Sequence, residues 1–77
     1  MSISGKIKGL LATREKNLTG LANALGISKQ ALSNKFYRDS FSAEDLITIA
    51  EYTECDLAFL STDGSKTILD KADLKLN

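Results

Sequence analysis

The chain has 77 residues, 43% of them hydrophobic, with ten Lys plus Arg against ten Asp plus Glu, no His and a single Cys. That fits one small folded domain. It removes the commonest general base and metal ligand, and it leaves no intrachain disulfide or Cys-based zinc site. The zero net charge hides a split: residues 1–41 carry seven basic against two acidic side chains, and residues 42–77 carry three against eight.

The first segment, residues 3–16, places Ile3, Ile7, Leu10 and Leu11 at helical spacing, with Ser2 or Ser4 as its N-cap. Gly5 and Gly9 weaken this helix by about 1 kcal/mol each relative to Ala. Its polar face carries Lys6, Lys8, Arg14, Glu15 and Lys16. Asn17 is an N-cap for a second helix, residues 18–25, whose apolar stripe is Leu18, Leu21, Ala22 and Leu25. Gly26 stands where a helix end needs a left-handed residue. Ile27 follows as a core plug, and Ser28 caps a third helix running to about Tyr37.

The third helix is two-sided. Gln30, Ser33, Asn34 and Tyr37 fall on one side with Lys29 at its edge, while Ala31, Leu32 and Phe36 occupy the other. Arg38, Asp39 and Ser40 read as a loop. Ser42 and Asp45 form an S-x-x-D start signal for a fourth helix, residues 43–53. Its stripe is Ala43, Leu46, Ile47 and Ala50, widened by Ile49; its other face is acidic, with Glu44, Glu51 and Glu54. Cys55 reads as a small buried hydrophobe rather than a nucleophile.

Beyond it, Asp63-Gly64 separates two apolar runs, a hairpin signal. The hairpin is favoured over a short fifth helix at residues 56–60, and residues 70–76 fit a final helical turn. The domain organisation is then a helical unit, residues 1–56, and a C-terminal extension, residues 57–77.

Residues 18–37 carry the functional signal: two helices joined by a short turn containing Gly, as in a helix-turn-helix. Ala22 provides a small residue at the crossing, Ile27 the plug and Leu32 the anchor. The polar side of the second of these helices is left free to enter a major groove. The excess of positive charge in the same half points to a polyanion partner.

The run Leu21-Ala22-Asn23-Ala24-Leu25-Gly26-Ile27-Ser28-Lys29-Gln30-Ala31-Leu32-Ser33-Asn34-Lys35 resembles the lambda repressor-like helix-turn-helix domains, the XRE or Cro-type family of prokaryotic and phage regulators. Phe41-Ser42 through Tyr52 resembles that family's fourth helix. The resemblance implies a mainly α fold of four to five helices, here with a C-terminal β-hairpin, and double-stranded DNA as the partner. It implies base reading by Lys29, Gln30, Ser33 and Asn34. Lys can donate to guanine O6 and N7, and Gln or Asn can pair with adenine N6 and N7. It places Ser28, Lys35, Tyr37, Arg38 and Ser40 near phosphates, with Asn17 near the opposite phosphate edge.

Two positions depart from the family. Leu10-Leu11 occupies the region where a basic residue of the first helix often meets phosphate, leaving Lys6, Lys8 or Arg14 as substitutes. Lys35 falls where an apolar residue is usual, so its stem is expected to pack while its ammonium snorkels. Tyr37 is equally able to pack on Phe41.

Cro-type members dimerise through a strand after the helices. A two-stranded hairpin is barely stable alone, and its open edge invites a second copy. The expectation is a homodimer using Leu57, Phe59 and Ile68 on a palindromic operator. The competing reading is a protein-interaction adaptor, antirepressor or antitoxin-like, using the acidic face of residues 43–56 with a regulatory protein partner. No enzyme activity and no cofactor are expected. No apolar run approaches a membrane span and no secretory-signal pattern is present, so a cytoplasmic location is expected.

Overall fold

The computed structural model describes residues 2–74. In chain order it contains α1 (Ile3–Thr13), α2 (Leu18–Leu25), α3 (Lys29–Arg38), α4 (Ala43–Tyr52), β1 (Leu57–Leu60), β2 (Lys66–Leu69) and a single 3-10 turn (Lys71–Asp73). The architecture is the mainly helical one expected, four helices followed by a hairpin. The alternative fifth helix is absent among the described residues, because residues 57–60 pair as a strand with residues 66–69.

The caps explain the helix starts. Ser2, Asn17, Ser28 and Ser42 each accept a hydrogen bond from the N–H three residues on. Such a cap contributes about 1 kcal/mol over Ala. Ser42 and Asp45 close a full capping box. Of the two candidates for the first cap, Ser2 takes the role, and Ser4 is buried with another use described below.

Three helix ends differ from expectation; α4 stops at Tyr52 rather than Thr53, with Glu54 left-handed (φ 59°) just beyond. The first helix stops at Thr13 rather than Lys16, because Glu15 turns left-handed (φ 56°) and Lys16 N–H closes onto Leu11 O at 2.8 Å. Glu at that position carries no glycine-like signal, so charge and periodicity ran past it. The third helix includes Arg38, and the left-handed residue that ends it is Asp39 (φ 54°). Gly26, by contrast, ends α2 with φ 70°, as its lack of a Cβ allows.

The core is shared by the helices: Ile7, Leu11, Leu21, Ala22, Leu32, Phe36 and Ile49, with Leu25, Ile27, Phe41, Leu46 and Tyr52 packed around it. Leu21 and Leu32 are fully enclosed, each worth about 1.5–3 kcal/mol of burial. Ile27 plugs the turn but is only partly buried, and Ile3 and Leu18, though on apolar stripes, are exposed. The close approach of α2 to α4 uses Gly20. A Cβ on Gly20 would collide with the Tyr52 hydroxyl, which donates to Asn17 O at 3.2 Å.

The hairpin pairs Leu57 with Leu69, Ala58 with Ile68, Phe59 with Thr67 and Leu60 with Lys66. Its turn is longer than a bare Asp-Gly. Ser61 N–H donates to Ser65 O at 2.8 Å, so the loop is Thr62, Asp63 and Gly64, with Gly64 left-handed (φ 95°). Asp63 accepts from the Ser65 hydroxyl and, with it, the Ser65 N–H, which hold its carboxyl below the usual range. Leu57 and Leu69 close an apolar groove of about 250 Å³ against Ala43, Leu46 and Ile47 of α4. Of the final turn expected at residues 70–76, residues 71–73 are helical, and residues 75–76 lie outside the described residues.

Candidate nucleic-acid interface

The helix α3 buries Leu32 and Phe36 and turns Lys29, Gln30, Ser33, Asn34, Tyr37 and Arg38 outward. The exposed group follows directly from the 3.6-residue period. Gln30 and Asn34, one turn apart, are joined at 3.4 Å by their side-chain amides, a long contact that leaves both free to rearrange. Tyr37 is 91% exposed. It does not pack on Phe41; Phe36 does, edge-on at 5.4 Å between ring centroids. Ser40 is exposed just past the helix end.

At the other end of α3, the Ser28 hydroxyl accepts from Ala31 N–H at 3.0 Å, and at the start of α2 the Asn17 side chain accepts from Gly20 N–H at 2.7 Å. Both therefore act as caps in the free protein.

The basic residues divide into two groups. Lys35 leans away from the exposed face, and its ammonium meets Asp45 Oδ2 at 2.8 Å. Burial pushes the Asp45 carboxyl up, but the Lys35 ammonium and the Ser42 N–H and hydroxyl outweigh it, and the net shift is down. Arg14 Nε donates to Thr53 O at 2.8 Å, tying α1 to the end of α4. Lys16 faces the same region, 3.8 Å from Glu54 and over the Tyr52 ring. Lys8 goes the other way. Its ammonium lies 5.2 Å from the centroid of the Phe36 ring and lines a cleft with Leu18, Ser33 and Tyr37. Of Lys8 and Arg14, two of the substitutes considered for the first-helix basic position, Lys8 is the one placed against α3 next to its exposed face.

A contact that sequence reasoning missed joins α1 to the end of α3. Asp39 accepts from Ser4 N–H at 2.6 Å and from Ile3 N–H at 3.3 Å. In return the Ser4 hydroxyl donates to Phe36 O at 2.8 Å. The Ser4 N–H, above all, holds the Asp39 carboxyl below the usual carboxylate range. The available signal was an Asp at the left-handed position past a helix, where Gly is usual.

The hairpin residues expected at a dimer contact do not share one face. Leu57 and Phe59 alternate onto one side, while Ile68, paired with Ala58, stands on the other with Leu60. Phe59 (69% exposed), Leu60 (74%) and Ile68 (47%) are all open to solvent.

A tight helix pair with an outward polar recognition face defines a helix-turn-helix domain. Residues 10–67, well over half of the chain, match the model of the bacteriophage CI repressor helix-turn-helix domain, and the chain belongs to that family. It is a family of DNA-binding regulators and not of enzymes. No curated protein and no solved structure matches the chain. No helix among the described residues is long and apolar enough to cross a membrane.

Proposed function

We propose that this protein is a sequence-specific, repressor-like regulator that lays α3 in the major groove. The observation that carries the reading is the exposed row of Lys29, Gln30, Ser33 and Asn34 on a helix whose opposite side is locked into the core. In this orientation those four side chains read base edges. Asn17, Ser28, Tyr37, Arg38 and Ser40 flank them as phosphate contacts, joined by Lys8 from α1. Lys35 is left out of the set because its ammonium is held by Asp45.

The protein acts as a homodimer on a palindromic site in this proposal. Among the described residues each strand of the two-stranded sheet has one unpaired edge. That of β1 carries Leu57, Ala58, Phe59 and Leu60 with no charge and no Pro to blunt it. Strand addition there engages Phe59 on one face and Leu60 and Ile68 on the other, so residues on opposite faces serve one contact. Residues 57–77 are then the assembly unit and residues 1–56 the DNA-binding unit.

Selection from a randomised duplex library at two salt concentrations tests this. Enrichment of a palindrome with half-sites about one helical turn apart, lost steeply with salt, is the expected result. No enrichment and no salt-sensitive binding would favour the adaptor reading. That reading ranks second because Asp45, Glu51 and Glu54 each already face a lysine of the same chain.

A further inference from the structure

The left-handed backbone at the end of α3 is normally given to Gly, because a Cβ is crowded there. Here it is Asp39. Two other non-Gly residues, Glu15 and Glu54, also have positive φ, but of the three only Asp39 uses its side chain to accept backbone N–H groups at the start of another helix. Its carboxylate takes the N–H groups of Ile3 and Ser4, while Ser2 takes that of Gly5. Three donors left open by the first turn of α1 are thereby satisfied, with a negative charge at the positive end of the helix. The Ser4 hydroxyl meanwhile satisfies a carbonyl of the last turn of α3. Each helix end caps the other.

Ser4 and Lys8 are one turn apart on α1 and meet the same residue. Ser4 binds the Phe36 carbonyl, and Lys8 lies over the Phe36 ring. Fixing Ser4 on the end of α3 therefore also fixes where Lys8 stands relative to Ser33 and Tyr37.

We propose that Asp39 and Ser4 are positioning residues for DNA binding: their reciprocal cap holds Lys8 beside the last turn of α3, so that two helices form one phosphate-facing surface. The inference rests on the docking of α3 proposed above. Neither residue touches DNA in it; both act through Lys8 and through the last turn that carries Tyr37 and Arg38.

The test compares Asp39→Gly with Asp39→Asn in the full chain, on the operator selected for the wild type, at a temperature where circular dichroism shows every variant folded. Both substitutions remove the same charge and both tolerate left-handed backbone, but only Asn keeps a carbonyl acceptor for Ser4 N–H. Lys8→Ala sets the scale. It is expected to lower the slope of log affinity against log salt by about 0.9 per bound protomer, the share of one phosphate contact. That makes the affinity loss between 50 and 200 mM salt about 3.5-fold smaller per protomer.

Asp39→Gly and Ser4→Ala are expected to move the slope toward that of Lys8→Ala, and Asp39→Gly to add nothing on top of Lys8→Ala. Asp39→Asn is expected to stay near the wild-type slope. Mere loss of stability would not change a slope measured on folded protein. Equal slopes for Asp39→Gly and Asp39→Asn, in a wild type that binds its operator, overturn this inference alone. A wild type that selects no duplex overturns it together with the proposed function.

Discussion

The four helices and the hairpin use similar apolar residues to different ends. In the helical part Leu21, Leu32 and Thr53 are sealed from solvent, and α3 is held by core packing on one side and by ion pairing to Asp45 on another. In the hairpin no described residue is buried, and Phe59, Leu60 and Ile68 stand in solvent. Apolar residues at helical spacing close a core within one chain, whereas a two-stranded ribbon has too little area to do so. In the proposed function the helical part holds the exposed face of α3 still, and the hairpin is the part that meets a second copy.

Substitutions should separate the two regions by size of effect. The largest is expected at Leu32: Leu32→Ala removes a fully enclosed side chain and should cost about 2–5 kcal/mol of unfolding free energy, read by urea denaturation. A cost under 1 kcal/mol would mean the core is not organised around it. Next comes the reading face, where Gln30→Ala or Asn34→Ala should cost about 1–3 kcal/mol of operator affinity and relax preference at one base position, with unfolding unchanged. Arg38→Ala should instead weaken binding to all duplexes alike. An Asn34→Ala protein with unaltered base preference would show that α3 is docked wrongly.

Acid should act mildly on both regions. The carboxyls of Asp39, Asp45 and Asp63 are all held down in the folded chain, so each is more readily protonated when unfolded. Their contribution is present at neutral pH and is lost as pH falls through and below the ordinary carboxylate range. The urea midpoint should drop between pH 7 and pH 3, and Asp45→Asn should flatten that drop. A steeper drop in Asp45→Asn would contradict its assigned partners. The smallest effect on folding is expected at Phe59: Phe59→Ser should change unfolding of the single chain by no more than about 0.5 kcal/mol. The same substitution should shift the proposed dimer to monomer in sedimentation at high micromolar concentration. A wild type that sediments as a monomer there would remove the assembly role of the hairpin.

Much of the fold was legible because its signals are local. Asn17, Ser28 and Ser42 announce helix starts, Gly26 announces the tight turn, and the period of Leu21, Ala22, Leu32 and Phe36 announces which sides meet. The row Gln30, Ser33, Asn34 and Tyr37 is exposed for the same periodic reason. The misjudged places lack such signals. Glu15 and Asp39 take left-handed backbone without being Gly, so the ends of α1 and α3 were displaced. The partners of Lys35, Arg14 and Lys8 lie on other helices, and no spacing along the chain reveals them.

The sequence by itself determined four capped helices, a Gly turn between the second and third, a hairpin and an exposed polar side on the third helix, since each depends on residues within one or two turns. Only the tertiary structure decided which charges are free. It assigned Lys35 to Asp45 and Arg14 to the end of α4, set Lys8 beside α3, joined Asp39 to Ser4 across 35 positions, and put Phe59 and Ile68 on opposite faces. The reason is that side-chain pairing over such separations depends on how helices and strands are placed in space, and that placement follows from packing of the whole core.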